Sequence, residues 1–183
     1  LAALTLLITG PATAAPKVVA SIKPIHSLVS AVMAGLGEPG LIVKGAASPH
    51  TYSLRPSDAA ALESADIVFW IGPDMETYLA SVLDTLAADA AVVEMMDVDG
   101  LTLLKMREGG LFEPHSHDDD HGHEDHNHHD HGHDHDHSHA DAHIWLDPQN
   151  ARLMVAAIAD ALITADPQNA ETYNANGLAL AAR

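Results

Sequence analysis

The sequence predicts an α/β fold, a parallel four-stranded sheet flanked by helices. Three observations predict it. Strand-like and helix-like segments alternate four times with short connections, the pattern of a parallel sheet. The clearest strand, DIVFWIG (66–72), is apolar on both faces, as a central strand covered by helices on each side must be. Hydrophobic residues make up 47% of the 183 positions, enough for one core or for one lobe of a larger protein.

The elements follow in order. KVVASI (17–22) is a short β-branched run that reads as a buried strand. Pro24 follows it. Ile25, Leu28, Val29, Val32, Met33 and Leu36 then recur at helical spacing until Gly35 and Gly37 end the pattern. GLIVKG (40–45) is a second strand, and GAASPHTYSLRPS is a loop of small residues and Pro. Ser57 is positioned to cap a helix beginning SDAAALESA. The strand at 66–72 leads to an amphipathic helix over 75–87, and AVVEM (91–95) is the fourth strand. Beyond a His-rich segment, HIWL (143–146) reads as a short extended run. Asp147 then caps a helix with Pro148 at its first position and Val155, Ile158 and Leu162 on one face. Asp166-Pro167 breaks that helix, and a new helical pattern runs to Arg183.

Ligands of parallel sheets bind outside the carboxyl ends of the strands. Two such loops carry a histidine: KPIH, after the first strand, has His26, and GAASPH, after the second, has His50.

The formal charge is −18, from 26 acids against 8 bases. Nucleic acid and anionic membrane do not attract such a surface, so neither is expected as a partner. Ten of the acids, and no Lys or Arg, fall within 113–141, so the charge belongs largely to one segment. There is no cysteine, which excludes disulfides and thiolate metal sites. A transition metal would have to be held by imidazole and carboxylate.

LAALTLLITGPATAAP at the start is an apolar run followed by small residues, with A-x-A at Ala12 and Ala14. It reads as the tail of a secretory signal whose basic start is missing, and it is too short to span a bilayer. A periplasmic location is expected, without membrane insertion. The division expected is a partial signal peptide at 1–15, an α/β lobe at 16–112, a His/Asp-rich loop at 113–141, the rest of the lobe at 142–165, and a further helix from 166 to 183.

The 15 histidines fall into two groups. Twelve crowd one segment: His115, His117, His121, His123, His126, His128, His129, His131, His133, His135, His137 and His139. Nothing apolar lies among them, so no core can form there and disorder is expected. Closely spaced imidazoles and carboxylates offer many interchangeable ligand sets for Zn, Cu or Ni. Such binding should be multivalent and weak, because ordering the segment costs entropy. The other three, His26, His50 and His143, are isolated. A lone histidine is more often a hydrogen-bonding structural residue than a ligand. Yet distant histidines are what a fold needs to assemble a preformed site. The H-E-x-x-H, G-x-S-x-G and Walker patterns are all missing from the sequence.

Several segments together resemble a known family. SIKPIHSLVSAVM, GAASPHTYSLRPSDAAALESADIVFWIGPDMETYL, an internal His/Asp-rich loop and AHIWLDPQNARLMVAAIADAL occur in the order found in the periplasmic zinc-binding proteins of high-affinity zinc-uptake ABC transporters, of the cluster 9 solute-binding type. The resemblance covers nearly all of 16–183. It implies two α/β lobes joined by a long helix, with the metal in the cleft between them, and makes this chain the first lobe. The helix running into Arg183 would be the start of the interlobe helix. It implies that His50, in P-H-x-Y, and His143, in H-x-W-L-D-P, are ligands to Zn²⁺, with further ligands from the second lobe. Some members carry an acid just before the first ligand; Pro49 stands there in this chain. His26 is an auxiliary candidate.

The expected function is zinc capture in the periplasm by a monomeric protein and delivery to an inner-membrane ABC zinc permease, without catalysis. Other readings stay open at this level. A manganese or iron carrier of the same fold would favour more carboxylate. A secreted zinc-buffering or storage protein would need only the loop. A zinc hydrolase would need an open coordination position and a general base, and no such pair lies near His50 or His143 in sequence.

Overall fold

The computed structural model describes residues 15–106 and 140–183. The readings of 1–14 as part of a signal and of the twelve clustered histidines lie outside the described residues. Four strands form one parallel sheet in the order β2-β1-β3-β4: β1 (Val18–Ala20), β2 (Gly40–Leu41), β3 (Ile67–Trp70) and β4 (Ala91–Glu94). β1 pairs Val18 with Ile67 and Ala20 with Phe69, and β3 pairs Ile67 with Ala91. β3 is buried throughout, as its two-sided apolar sequence requires. β4 is an edge, and its Val92 is exposed.

β1 connects leftward to β2 through α1 (Lys23–Val32), whereas β2 and β3 connect rightward through α2 (Pro56–Glu63) and the pair α3 (Thr77–Ala80) and α4 (Leu83–Leu86). Right-handed crossovers then put α1 on one face and α2 to α4 on the other. α5 (Pro148–Ala165) and α6 (Ala170–Ala181) pack with α1, while α2 packs with α4. α5 buries Met154, Val155, Ile158, Ala159 and Leu162. α6 approaches it closely at Gly177, where a Cβ would sit 3.4 Å from that of Ala159. The break between the two is held by buried Asp166, which accepts from Asn169 at 2.7 Å and from the Tyr173 hydroxyl at 3.0 Å.

Four local expectations are corrected. The second strand keeps only Gly40–Leu41: β1 ends at Ala20, and although the Ile42 and Val43 N–H groups still donate to Ala20 O and Ser21 O, the ladder does not continue beyond them. Ser57 is not the cap of α2. The helix begins at Pro56, and buried Asp58 in its first turn accepts from the Arg55 N–H at 3.0 Å. The helix over 75–87 is two short pieces, because the Val82 N–H bonds to Leu79 O, a tight turn that lets each piece bury its own leucine, Leu79 and Leu83. HIWL is not extended. Ile144–Leu146 is a 3₁₀ turn that feeds α5, and Asp147 caps that helix through Gln149 N–H at 2.7 Å, as the Asp-Pro pair predicts.

Candidate metal centre

His50 lies on a 3₁₀ turn, Pro49–Thr51, in the loop after β2. Pro49 presets the first residue of that turn. Tyr52 anchors the turn: it is buried, and its hydroxyl donates to Asp58 at 2.8 Å and lies 3.3 Å from Ile42 O. Asp58 thus holds both Tyr52 and the Arg55 N–H, and fixes the loop at two points. The Tyr52 ring also packs edge-on against Tyr78, with centroids 5.3 Å apart.

His143 reaches the same place from the opposite end of the chain. The two stretches that flank residues 107–139 are joined by an antiparallel bridge, Lys105 to Ala140, and by Asp141 N–H to Leu104 O at 2.7 Å. Ala140 and Asp141 are thus tied to the stretch that ends at Lys105. Buried Asn150, in the first turn of α5, ties the same stretches together. Its amide exchanges bonds with Thr102 N and O at 2.8 and 2.9 Å and reaches Ile144 O at 3.3 Å.

The two imidazoles meet. Their ring centroids are 5.6 Å apart, with planes inclined at 48°. Two imidazoles sharing a tetrahedral zinc at about 2.0–2.1 Å have ring centres roughly 5 Å apart, so the spacing suits a shared ion. His143 Nδ1 lies 2.7 Å from Asp141 Oδ1. A carboxylate can only accept, so Nδ1 carries the proton and Nε2 keeps its lone pair for coordination. Asp141 also accepts from the His143 backbone N–H at 3.0 Å, which fixes the residue at both main chain and ring. The Trp145 ring centroid lies 5.2 Å from that of His143. Both histidines are exposed and line a pocket of about 370 Å³ whose walls include Ile22, Lys23, Val43 and Gly45. These residues come from the ends of β1 and β2, the carboxyl edge where a parallel sheet binds its ligands.

His26 is placed elsewhere. It sits within α1, where its Nε2 lies 3.0 Å from Pro39 O and its Nδ1 3.4 Å from the Ser30 hydroxyl. The carbonyl requires a proton on Nε2, so both nitrogens are engaged within the lobe. It lines a separate pocket with Glu38 and Pro39, not the one that holds His50 and His143. Among the described residues no cluster of three or more His, Cys, Asp or Glu is arranged to hold a metal ion. The site is a pair, incomplete as a zinc cage.

Sequence reasoning missed Asp141, Asn150, Asp58 and Glu76. Asp141 had a signal, a carboxylate two positions before a candidate ligand in D-A-H. The buried Asn150 and Glu76 had none, because their partners are brought to them only by the fold.

The lobe thus brings two isolated imidazoles together at the carboxyl edge of a parallel sheet, the edge where such sheets generally bind ligands. The chain belongs to the family described as zinc-uptake complex component A, periplasmic, whose model matches residues 18–183. It is 54% identical over 176 residues to the high-affinity zinc uptake system protein ZnuA of Brucella abortus, covering 88% of this chain and 53% of that protein. Identity to the protein of the same name from Paracoccus denitrificans is 39%, covering 88% of this chain and 51% of that one. The chain spans about half the length of the curated relatives it matches. A crystal structure of ZnuA superposes with a TM-score of 0.69 at 26% identity, covering 92% of this chain and 54% of that one. The manganese-bound periplasmic metal-binding protein of Candidatus Liberibacter asiaticus shares the fold, with a TM-score of 0.68 at 20% identity over 91% of this chain and 52% of that one. Among the described residues no helix is long and apolar enough to cross a membrane.

Proposed function

We propose that this chain is the first lobe of a periplasmic solute-binding protein that captures zinc through His50 and His143 and delivers it to an inner-membrane ABC permease. The observation that carries the reading is the meeting of two isolated imidazoles, 5.6 Å between ring centres, at the carboxyl edge of the sheet. Neutral nitrogen ligands favour Zn²⁺ over manganese, which takes oxygen. The hydrogen bond from His143 to Asp141 supports the same assignment, because a carboxylate behind a ligand histidine raises its basicity and fixes its tautomer. The remaining ligands would come from the second lobe of a protein of the relatives' length, with α6 leading toward it. Capture and release is the task we assign to the pair, with Asp141 serving to orient the His143 ring.

The twelve clustered histidines would act as an accessory. The segment is rooted at the Lys105–Ala140 bridge, three positions before His143, so ions held weakly on it would be concentrated beside the tight site. The test is uptake of radiolabelled zinc by zinc-starved cells whose only copy of the full-length protein carries His50→Ala. Uptake should fall to the level of a strain lacking the protein. Uptake at the wild-type rate would contradict the proposal.

A further inference from the structure

The most deeply buried acid among the described residues lies beside the metal pocket but not in it. Glu76 has no exposed surface. One carboxylate oxygen accepts from Ile71 N–H at 2.9 Å and Gly72 N–H at 3.1 Å, just beyond β3; the other accepts from the Ser21 hydroxyl, just beyond β1. β1 leads left to β2 and β3 leads right to β4, so Glu76 fills the crevice where the strand order reverses. Gly72 has φ +149°, a backbone conformation that favours glycine, and a Cβ there would come within 2.5 Å of Glu94 Oε1 and displace that side chain.

Ser21 is itself a junction. Its N–H donates to Phe69 O on β3 and its carbonyl accepts from Val43 N–H, both at 2.9 Å. The next residues, Ile22, Lys23 and Pro24, form one wall of the histidine pocket, and Val43 begins the other. Lys23 Nζ donates across to Gly45 O and closes that wall. A chain of contacts thus runs from Glu76 through Ser21 to the loop that carries His50.

We infer that Glu76 is a positioning residue for the metal pocket, holding the loop after β1, and with it the pocket wall, against the end of β3. The inference rests on the zinc-binding reading of His50 and His143. An ionised carboxylate suits the three donors that face it; a protonated one must turn a donor toward Ser21 and reverse that bond. Burial raises the Glu76 carboxyl to about 7, against the lowering effect of its bonds to Ser21, Gly72 and Ile71. The groups around it are Glu94 on β4, also raised to about 7 by burial and then by the charges of Asp97, Glu76 and Asp74, and the Tyr78 phenol on α3. The latch should therefore engage as pH rises through neutrality, and Glu76→Gln should mimic its protonated form.

The test is zinc affinity of the full-length protein, by competition with a chromophoric chelator at about pH 6 and about pH 8, either side of the raised carboxyl. Glu76→Gln should bind zinc roughly three- to tenfold more weakly at the higher pH and like the wild type at the lower, and Ser21→Ala should weaken binding at the higher pH. Wild-type affinity in both variants at both pH values would overturn the inference, as would equal weakening of Glu76→Gln at both. If Glu76→Gln fails to fold, Ser21→Ala decides alone, and wild-type affinity in it overturns the inference. Failure of the wild-type protein to bind zinc tightly would instead overturn the zinc reading.

Discussion

His143 and His26 are the same residue type in the same lobe, each hydrogen-bonded to a neighbour, yet only one is free to hold a metal. His26 gives Nε2–H to a carbonyl and turns Nδ1 to a hydroxyl, so its ring is used up as a tie between α1 and the segment before β2. His143 gives Nδ1–H to Asp141 and keeps Nε2, and a second imidazole stands across from it. The two differ in the count of ring nitrogens left over and in the presence of a second imidazole, not in nearness to a strand end.

The largest effect should come from removing either member of the pair. In the full-length protein, His50→Ala or His143→Ala should weaken zinc binding by ~100-fold or more, measured by chelator competition, since losing a ligand exceeds the usual loss from an outer partner. Asp141→Asn sharpens the comparison. It leaves the ring in place but removes the charge that fixes its tautomer, and should weaken zinc by about tenfold with the fold intact by circular dichroism. Deleting 115–139 should remove the weaker zinc equivalents in a titration and change the tight affinity by less than about threefold, because His50 and His143 both lie outside it. His26→Ala should leave zinc affinity unchanged and lower stability by only about 1 kcal/mol in urea denaturation, the scale of a lost hydrogen bond. A His26→Ala variant that loses tight zinc would break the distinction between tie and ligand.

These differences were unequally legible in the sequence. The parallel sheet was, because DIVFWIG can be satisfied only by cover on both sides and the strand–helix alternation leaves little choice of topology. The cap at Asp147-Pro148 was legible for a local reason, since the carboxylate needs only the N–H two residues on. The fates of HIWL and of the helix at 75–87 were not, because Asn150 and Glu76, which lie beside or within them, are held by partners far along the chain, Thr102 and Ser21. The prominence of the twelve clustered histidines came from composition alone. The pair that the fold brings together, His50 and His143, stood out only through the motifs around each. That His26 would spend both nitrogens on Pro39 and Ser30 could not be read at all, since Pro39 is a neighbour only once β2 has paired with β1.

The central claim is that one zinc ion sits between His50 and His143. Anomalous diffraction at the zinc edge, from crystals of the full-length protein lacking 115–139 and grown with one equivalent of zinc, tests it directly. The account predicts a single strong peak about 2.0–2.1 Å from a ring nitrogen of each histidine. A peak that touches neither ring, or one held by His26, would contradict it.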